Sequence, residues 1–283
     1  MKKEQIYIYH HLGLGDHISC NGLIRSIIKK RPNSKVFVFC KKKMLKLVLY
    51  MFRDDKRINI IPIYSKKDDG NEYSSKIKNY LDKLKTKHTA IKIGFENYNK
   101  IHSETYTKKN PITYDMAFYK QIKLSYDNRF SMCYWKREKK QEQRVFKKLT
   151  KGKKEYAFVH DDPSLGYKID RKFVSSGLKI IENDKSENIF YMSKVIEKAK
   201  EIHLMESSIR NMSESLNFSS NKIYLYIWRR RKMAPIYSRV LKKVIGAKQK
   251  WKIVYMNPRN KNLKFYFMNF MLKFRFYISS FID

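Results

Sequence analysis

Apolar positions along the chain follow two periods. Apolar, strand-like runs at 5–9, 35–39, 58–63 and 89–95 predict strands. Between them, apolar residues recur at helical spacing over 18–30, 44–52 and 74–84. Strand–helix alternation of this pitch predicts βαβ units and a parallel sheet. The pattern weakens over 96–135, and the charged stretch 135–154 reads as a solvated helix and linker. Alternation then restarts, with strands expected at 155–160, 178–182 and 201–205 and helices at 188–200 and 207–217. It continues through 222–228, 236–246 and 251–255. Two α/β units are therefore expected, with a ligand bound between them at the carboxyl ends of the strands.

Composition narrows this picture only in places. With 283 residues, 42% of them hydrophobic, the chain can bury a sizeable core. Cys20, Cys40 and Cys133 lie far apart, which excludes a disulfide framework and a cysteine zinc site and suits a reducing compartment. The basic N-terminus leads into an apolar run too short for a signal core, so a cytoplasmic location is expected. The net charge of +37 points to a polyanionic partner or to A/T-rich coding, since 48 of the 63 basic residues are lysine. Coding bias does not remove acids, yet 215–282 holds none beside sixteen basic residues. That asymmetry predicts a function for the last third.

Within it, "WRRRK" (228–232) is a candidate nucleic-acid, phosphate or membrane-surface patch. No helix-turn-helix, RNA-recognition or zinc-finger signature accompanies it, so nucleic acid is not the expected partner. In the tail, Phe267, Met271, Phe274, Ile278 and Phe281 fall on one helical face, while Lys264, Lys273 and Arg275 interrupt it. No uncharged span reaches the roughly 18 residues that a membrane helix needs. The tail reads either as an interfacial helix drawn to anionic lipid or as a last helix packed on the body.

The chemistry concentrates at "HHLGLGDHISCNG" (10–22). Gly13 and Gly15 flank a leucine, Asp16 follows, and the stretch joins a predicted strand to a predicted helix. There the backbone can approach a ligand closely and helix amides can face an anion. A dinucleotide fingerprint would need a third glycine where Ile18 stands, and an acid where the second strand runs into Lys41, Lys42 and Lys43. No P-loop is present.

"LGLGDHISCNGLIRSI", which includes Arg25, resembles the N-terminal signature of heptosyltransferase-type glycosyltransferases. "AKEIHLMESSIRNMSESL" (199–216) is similar to their donor-side segment. The resemblance implies a GT-B fold: an acceptor-side Rossmann-like domain (1–145), a donor-nucleotide-binding one (146–256) and the basic aromatic tail (257–283). It implies an inverting hexosyl or heptosyl transfer from a nucleotide sugar to a glycan or lipid-linked acceptor; the basic tail and the acid-free stretch add an anionic membrane surface as an expected partner. It also makes Asp16 the catalytic base and assigns Glu206, Ser207 and Ser208 to the donor.

The residues fit such chemistry. Asp16 can accept a hydroxyl proton, although a helix start is expected to lower its pKa, and it is equally a candidate N-cap. Gly13 and Gly15 offer amides to the donor. His160, the amides near Gly166, and Lys168 can face a diphosphate without a metal; Asp161 and Asp162 could hold a divalent ion instead, or simply form a turn. Glu206 suits ribose hydroxyls, and Ser207 and Ser208 suit phosphate. Alternatively, Ser207 caps a helix that leaves Arg210 and Asn211 exposed. His203 and Glu206 have zinc-pair spacing, but no third ligand follows, so His203 reads as a strand residue. No metal or cofactor is expected. Rival readings are a nucleotide-sugar epimerase of the same architecture and a non-enzymatic basic nucleic-acid-binding protein.

Overall fold

The computed structural model describes residues 4–65, 70–94, 112–163, 167–220, 222–228, 237–238 and 243–256. The tail beyond 256, the cations at 229–232 and Gly166 lie outside these residues.

Two all-parallel sheets carry the chain. The first contains β1 (Gln5–Tyr9), β2 (Lys35–Lys41), β3 (Ile58–Ile63) and β4 (Thr89–Lys92), in the order β3-β2-β1-β4. Ile6 of β1 sits opposite Val36 on one side and Thr89 on the other. The second contains β5 (Tyr156–His160), β6 (Lys179–Glu182), β7 (Glu201–Met205), β8 (Ile223–Trp228) and β11 (Lys252–Met256), in the order β11-β8-β7-β5-β6. The strands read as continuous apolar runs because helices cover both faces of a parallel sheet. Ile6, Ile8, Val36 and Val38, like Phe158, Ile202, Leu204 and Leu225, are fully buried.

The described helices are α1 (Leu14–Lys30), α2 (Leu45–Phe52), α3 (Gly70–Asp82), α4 (Tyr114–Gln121), α5 (Asn128–Ser131), α6 (Lys139–Thr150), α7 (Ser193–Glu197) and α8 (Ser208–Ser213). Three stretches depart from the periodicity. The described parts of 236–246 form β9 (Tyr237–Ser238) and β10 (Lys243–Val244), an antiparallel pair with Val244 opposite Tyr237, where alternation predicts a helix. The 188–200 helix is a 3-10 turn (Ile189–Met192) followed by the short α7. The charged stretch 135–154 is more than a solvated linker. Its helix α6 packs on α7, burying Val145 and Glu142, and Arg137 pairs with both Glu142 and Glu197.

A single apolar cluster runs from Ile6 and Leu23 through Phe118 and Phe158 to Leu225 and Trp251, so the two sheets share one interior. Helix α1 crosses that interior between α5 and α8. In each sheet one strand has its sequence successor on one side and a later strand on the other. These switch points lie between β1 and β4 and between β5 and β7, and their carboxyl ends are where open α/β sheets hold ligands.

Candidate functional site

At the first switch point β1 ends in His10 and His11. Leu12 then takes a left-handed conformation (φ 62°), and Gly13 caps α1. Asp16 sits inside the first turn rather than at the cap, and its Oδ2 accepts from the Gly13 amide at 3.2 Å. Burial, the largest influence, pushes the Asp16 carboxyl up to about 6; the Gly13 amide and Lys41 pull it down, and Asp115 pushes it up. The lowering expected of a helix start is thus outweighed by loss of water.

The turn is braced by a histidine pair. His10 Nδ1 accepts from the Leu12 amide at 3.1 Å, which leaves the proton of a neutral His10 on Nε2. That nitrogen lies 3.1 Å from His17 Nδ1 and donates to it. Burial and neighbouring positive charge keep both rings neutral, with His17 pushed down to about 3.

At the second switch point β7 leads through Glu206 and Ser207 into α8. Ser207 is the N-cap, its hydroxyl accepting from the Arg210 amide at 3.4 Å. The capping alternative is right about Ser207 but not about its neighbours. Arg210 is buried and Asn211 half-buried, because α8 faces α1 rather than water. A β-carbon on Gly15 would lie 3.9 Å from the Ser208 Cα and 3.0 Å from Asn211 Nδ2. The Asp16 turn and the Glu206–Ser208 junction therefore meet face to face.

His160 ends β5 beside Leu204 of β7. Burial pushes its pKa down to about 4, against the pull of Asp161 and Asp162, so it is neutral at pH 7 and supplies no positive charge. Its buried Nδ1 meets no hydrogen-bond partner among the described residues. Asp161 accepts from the Ile169 amide at 2.9 Å and from Arg171 at 2.8 Å. Asp162 pairs with Lys185 at 3.5 Å, and its backbone exchanges hydrogen bonds with Tyr167. Both acids thus brace their own loop. Lys168 is exposed on that loop. His203 is a strand residue, held between Glu201 (3.2 Å) and the Tyr226 hydroxyl (2.8 Å) and stacked on Tyr224. Arg25 lies further along α1 and grips Asp54 through two hydrogen bonds of 2.8 and 2.9 Å.

Sequence reasoning missed a buried polar group from the weakly patterned 112–131 region. Arg129 pairs with Asp115, accompanied by the Tyr126 hydroxyl (2.6 Å), the Gly246 carbonyl (3.1 Å) and Asn211 Oδ1 (3.4 Å). Burial works against the Asp115 carboxylate, but Arg129, Thr113, Arg210 and Tyr126 together hold its pKa below the ordinary value.

No family model and no curated protein matches the sequence. Solved structures resemble it in shape. A family 9 glycosyl transferase from Veillonella parvula superposes with a TM-score of 0.53 at 10% identity, covering 96% of this chain and 90% of its own. The ADP-heptose lipopolysaccharide heptosyltransferase II of E. coli gives 0.51 at 9% identity, covering 91% and 92%. The fold is GT-B. In this GT-B chain the helix starts that follow the two switch points touch, Gly15 against Ser208.

Proposed function

We propose that the chain is a glycosyltransferase that passes a sugar from a nucleotide-activated donor to a hydroxyl of a glycan or lipid-linked acceptor, with inversion and with Asp16 as general base. The observation that carries this is a half-buried carboxyl, raised to about 6, on the turn that packs through Gly15 against Ser208 at the start of α8. Such a base is mostly ionised at pH 7 and still basic enough to take a proton in the transition state.

Asp16 removes the acceptor's hydroxyl proton as that oxygen bonds to the anomeric carbon. The bond from that carbon to the diphosphate breaks on the opposite face, and the electron pair leaves with the nucleotide. Glu206 takes the ribose hydroxyls. Ser207, Ser208, Lys168 and the Gly15 amide face the diphosphate, while the Gly13 amide stays on Asp16. His160, being neutral, acts as a hydrogen-bond partner rather than a cation. This scheme uses no metal. The E. coli neighbour is named for ADP-heptose, which supports a nucleotide-sugar donor with a hexosyl or heptosyl group. The acid-free stretch 215–282 supports a meeting with the acceptor at an anionic membrane surface.

The test is a panel of nucleotide sugars with the purified chain, following melting temperature and release of nucleoside diphosphate. Stabilisation by one donor class and acceptor-dependent release, both lost together only when Asp16 and Glu206 are changed, support the reading. Conversion of the donor without acceptor makes the chain an epimerase. No stabilisation by any nucleotide sugar refutes the proposal.

A further inference from the structure

One side chain of α8 reaches across to the start of α1. Asn211 Nδ2 donates to the Gly15 carbonyl at 3.2 Å, while its Oδ1 accepts from Arg210 Nη1 at 3.2 Å and Arg129 Nη2 at 3.4 Å. The amide has one possible orientation, because guanidiniums only donate and the Gly15 carbonyl only accepts. Both arginines are held from behind. Arg129 is held by Asp115, Tyr126 and the Gly246 carbonyl. Arg210 pairs with Glu214 at 3.0 Å, and Glu214 also accepts from the Lys248 and Gln249 amides and the Trp251 indole. Gly15 leaves the space the amide fills, since a β-carbon there would come 3.0 Å from Nδ2. The carbonyl that Asn211 holds belongs to the residue just before Asp16.

We propose that Asn211 is a positioning residue that registers the donor-side helix on the Asp16 turn through its bridge between Gly15 and the two arginines. The kinetic part rests on the transferase reading above; the structural part rests on the contact alone. The base sits on α1 and the donor's reacting carbon is carried by the α8 side, so a tie between the two helices sets the distance of attack. A base misplaced by a fraction of an ångström leaves donor binding nearly intact and slows turnover by about 10–100-fold.

The test uses the full chain with Asn211→Ala, Asn211→Asp, Gly15→Ala and the double variant Gly15→Ala/Asn211→Ala. Asn211→Asp keeps the volume and the acceptors for both arginines but loses the N–H given to Gly15, and it carries the test if the alanine variant fails to fold. Hydrogen exchange needs no turnover. Loss of Asn211 is expected to deprotect the first turns of α1 and α8 together; deprotection of α8 alone overturns the proposal. In kinetics, Asn211→Ala and Asn211→Asp are expected to lower kcat by about 10–100-fold with donor KM within about threefold. The double variant is expected to lose no more than Gly15→Ala alone, because the two changes act on one contact. Unchanged kcat, or a loss carried by KM, overturns the proposal. Absence of transfer by the unaltered chain overturns the transferase reading instead, and exchange then decides the tie.

Discussion

Gly22 of α1 lies so close to α5 that a β-carbon there would come 2.1 Å from the Asn128 carbonyl oxygen. Only a residue without a side chain lets the two backbones meet, and the Asp16 turn is carried on the same helix. Gly22→Ala is expected to lower stability by about 2–3 kcal/mol, the scale of overpacking against a backbone that cannot yield. Urea unfolding measures it, with the exposed Lys30→Ala as a near-neutral control. An unchanged midpoint would mean that the helices are not in this contact.

The raised Asp16 carboxyl makes a kinetic and a thermodynamic prediction. Transfer measured as kcat/KM should rise with pH through about 6, and Asp16→Asn should reduce it by about 10²–10⁴-fold. The folded pKa lies above the unfolded one, so this group favours folding below about pH 4 and loses that contribution as pH rises through about 6. Asp16→Asn should therefore be more stable than the unaltered chain at pH 8 by about 1–2 kcal/mol, and equal to it near pH 4. Denaturation at both pH values reads the sign.

Three buried histidines and the half-buried His160 act the other way. Burial lowers the pKa of His10, His17, His160 and His203, so each stabilises the fold above its ordinary value of 6.5. That stabilisation is lost as pH falls towards the folded values, about 3 for His17 and about 4 for His160. Each group costs up to about 1.4 kcal/mol per pH unit in that window. A drop of about 3–5 kcal/mol is expected between pH 7.5 and 5.5, with Asp16 offsetting a little of it. A flat profile would mean that these rings take up protons in the folded protein.

Removing Arg129 strands a buried carboxylate. Arg129→Met should cost about 3–5 kcal/mol, while Arg129→Met combined with Asp115→Leu should recover much of the loss, because no charge is then left unpaired. A double-mutant cycle by urea denaturation measures the coupling. Additive losses would mean that the two residues are not partners.

Glu206→Ala should weaken donor binding by about 1.5–3 kcal/mol, the scale of a charge-assisted hydrogen bond. Titration calorimetry with whichever nucleotide sugar stabilises the chain in the donor panel gives the value. If affinity holds while stability falls, the 206–208 segment serves only to start α8.

The sheets were largely legible in the sequence. The expected bounds of β1, β3 and β7 match the observed Gln5–Tyr9, Ile58–Ile63 and Glu201–Met205, because a strand covered on both faces is mostly apolar and its few polar residues, such as Glu201 and His203, are paired. The Asp16 turn and the Glu206–Ser208 junction stood out because each breaks such a run with glycine, acid or serine. The polar interior between them did not. Tyr126 and Arg129 reach the Gly246 carbonyl, and Asn211 reaches Arg129 and Gly15, far along the chain, and a polar residue satisfied at long range leaves no period in its own neighbourhood. Asn211 looks like an exposed helix residue until α1 is laid across it. The 236–246 stretch was misread because its few apolar residues fit a helix as well as a hairpin.

The interior common to both sheets has a mechanical meaning. Two bodies joined only by a strap open like a book, about a thin hinge. Here Ile6 and Ile8 of one sheet and Phe158 and Ile202 of the other belong to one apolar cluster, with α1 rolled against α8 inside it. Bodies joined in this way move by shear, sliding a little while side chains change rotamer and keep their neighbours. If the chain is a transferase, opening for its ligands would then take the form of a small slip along the α1–α8 seam rather than a swing about a hinge.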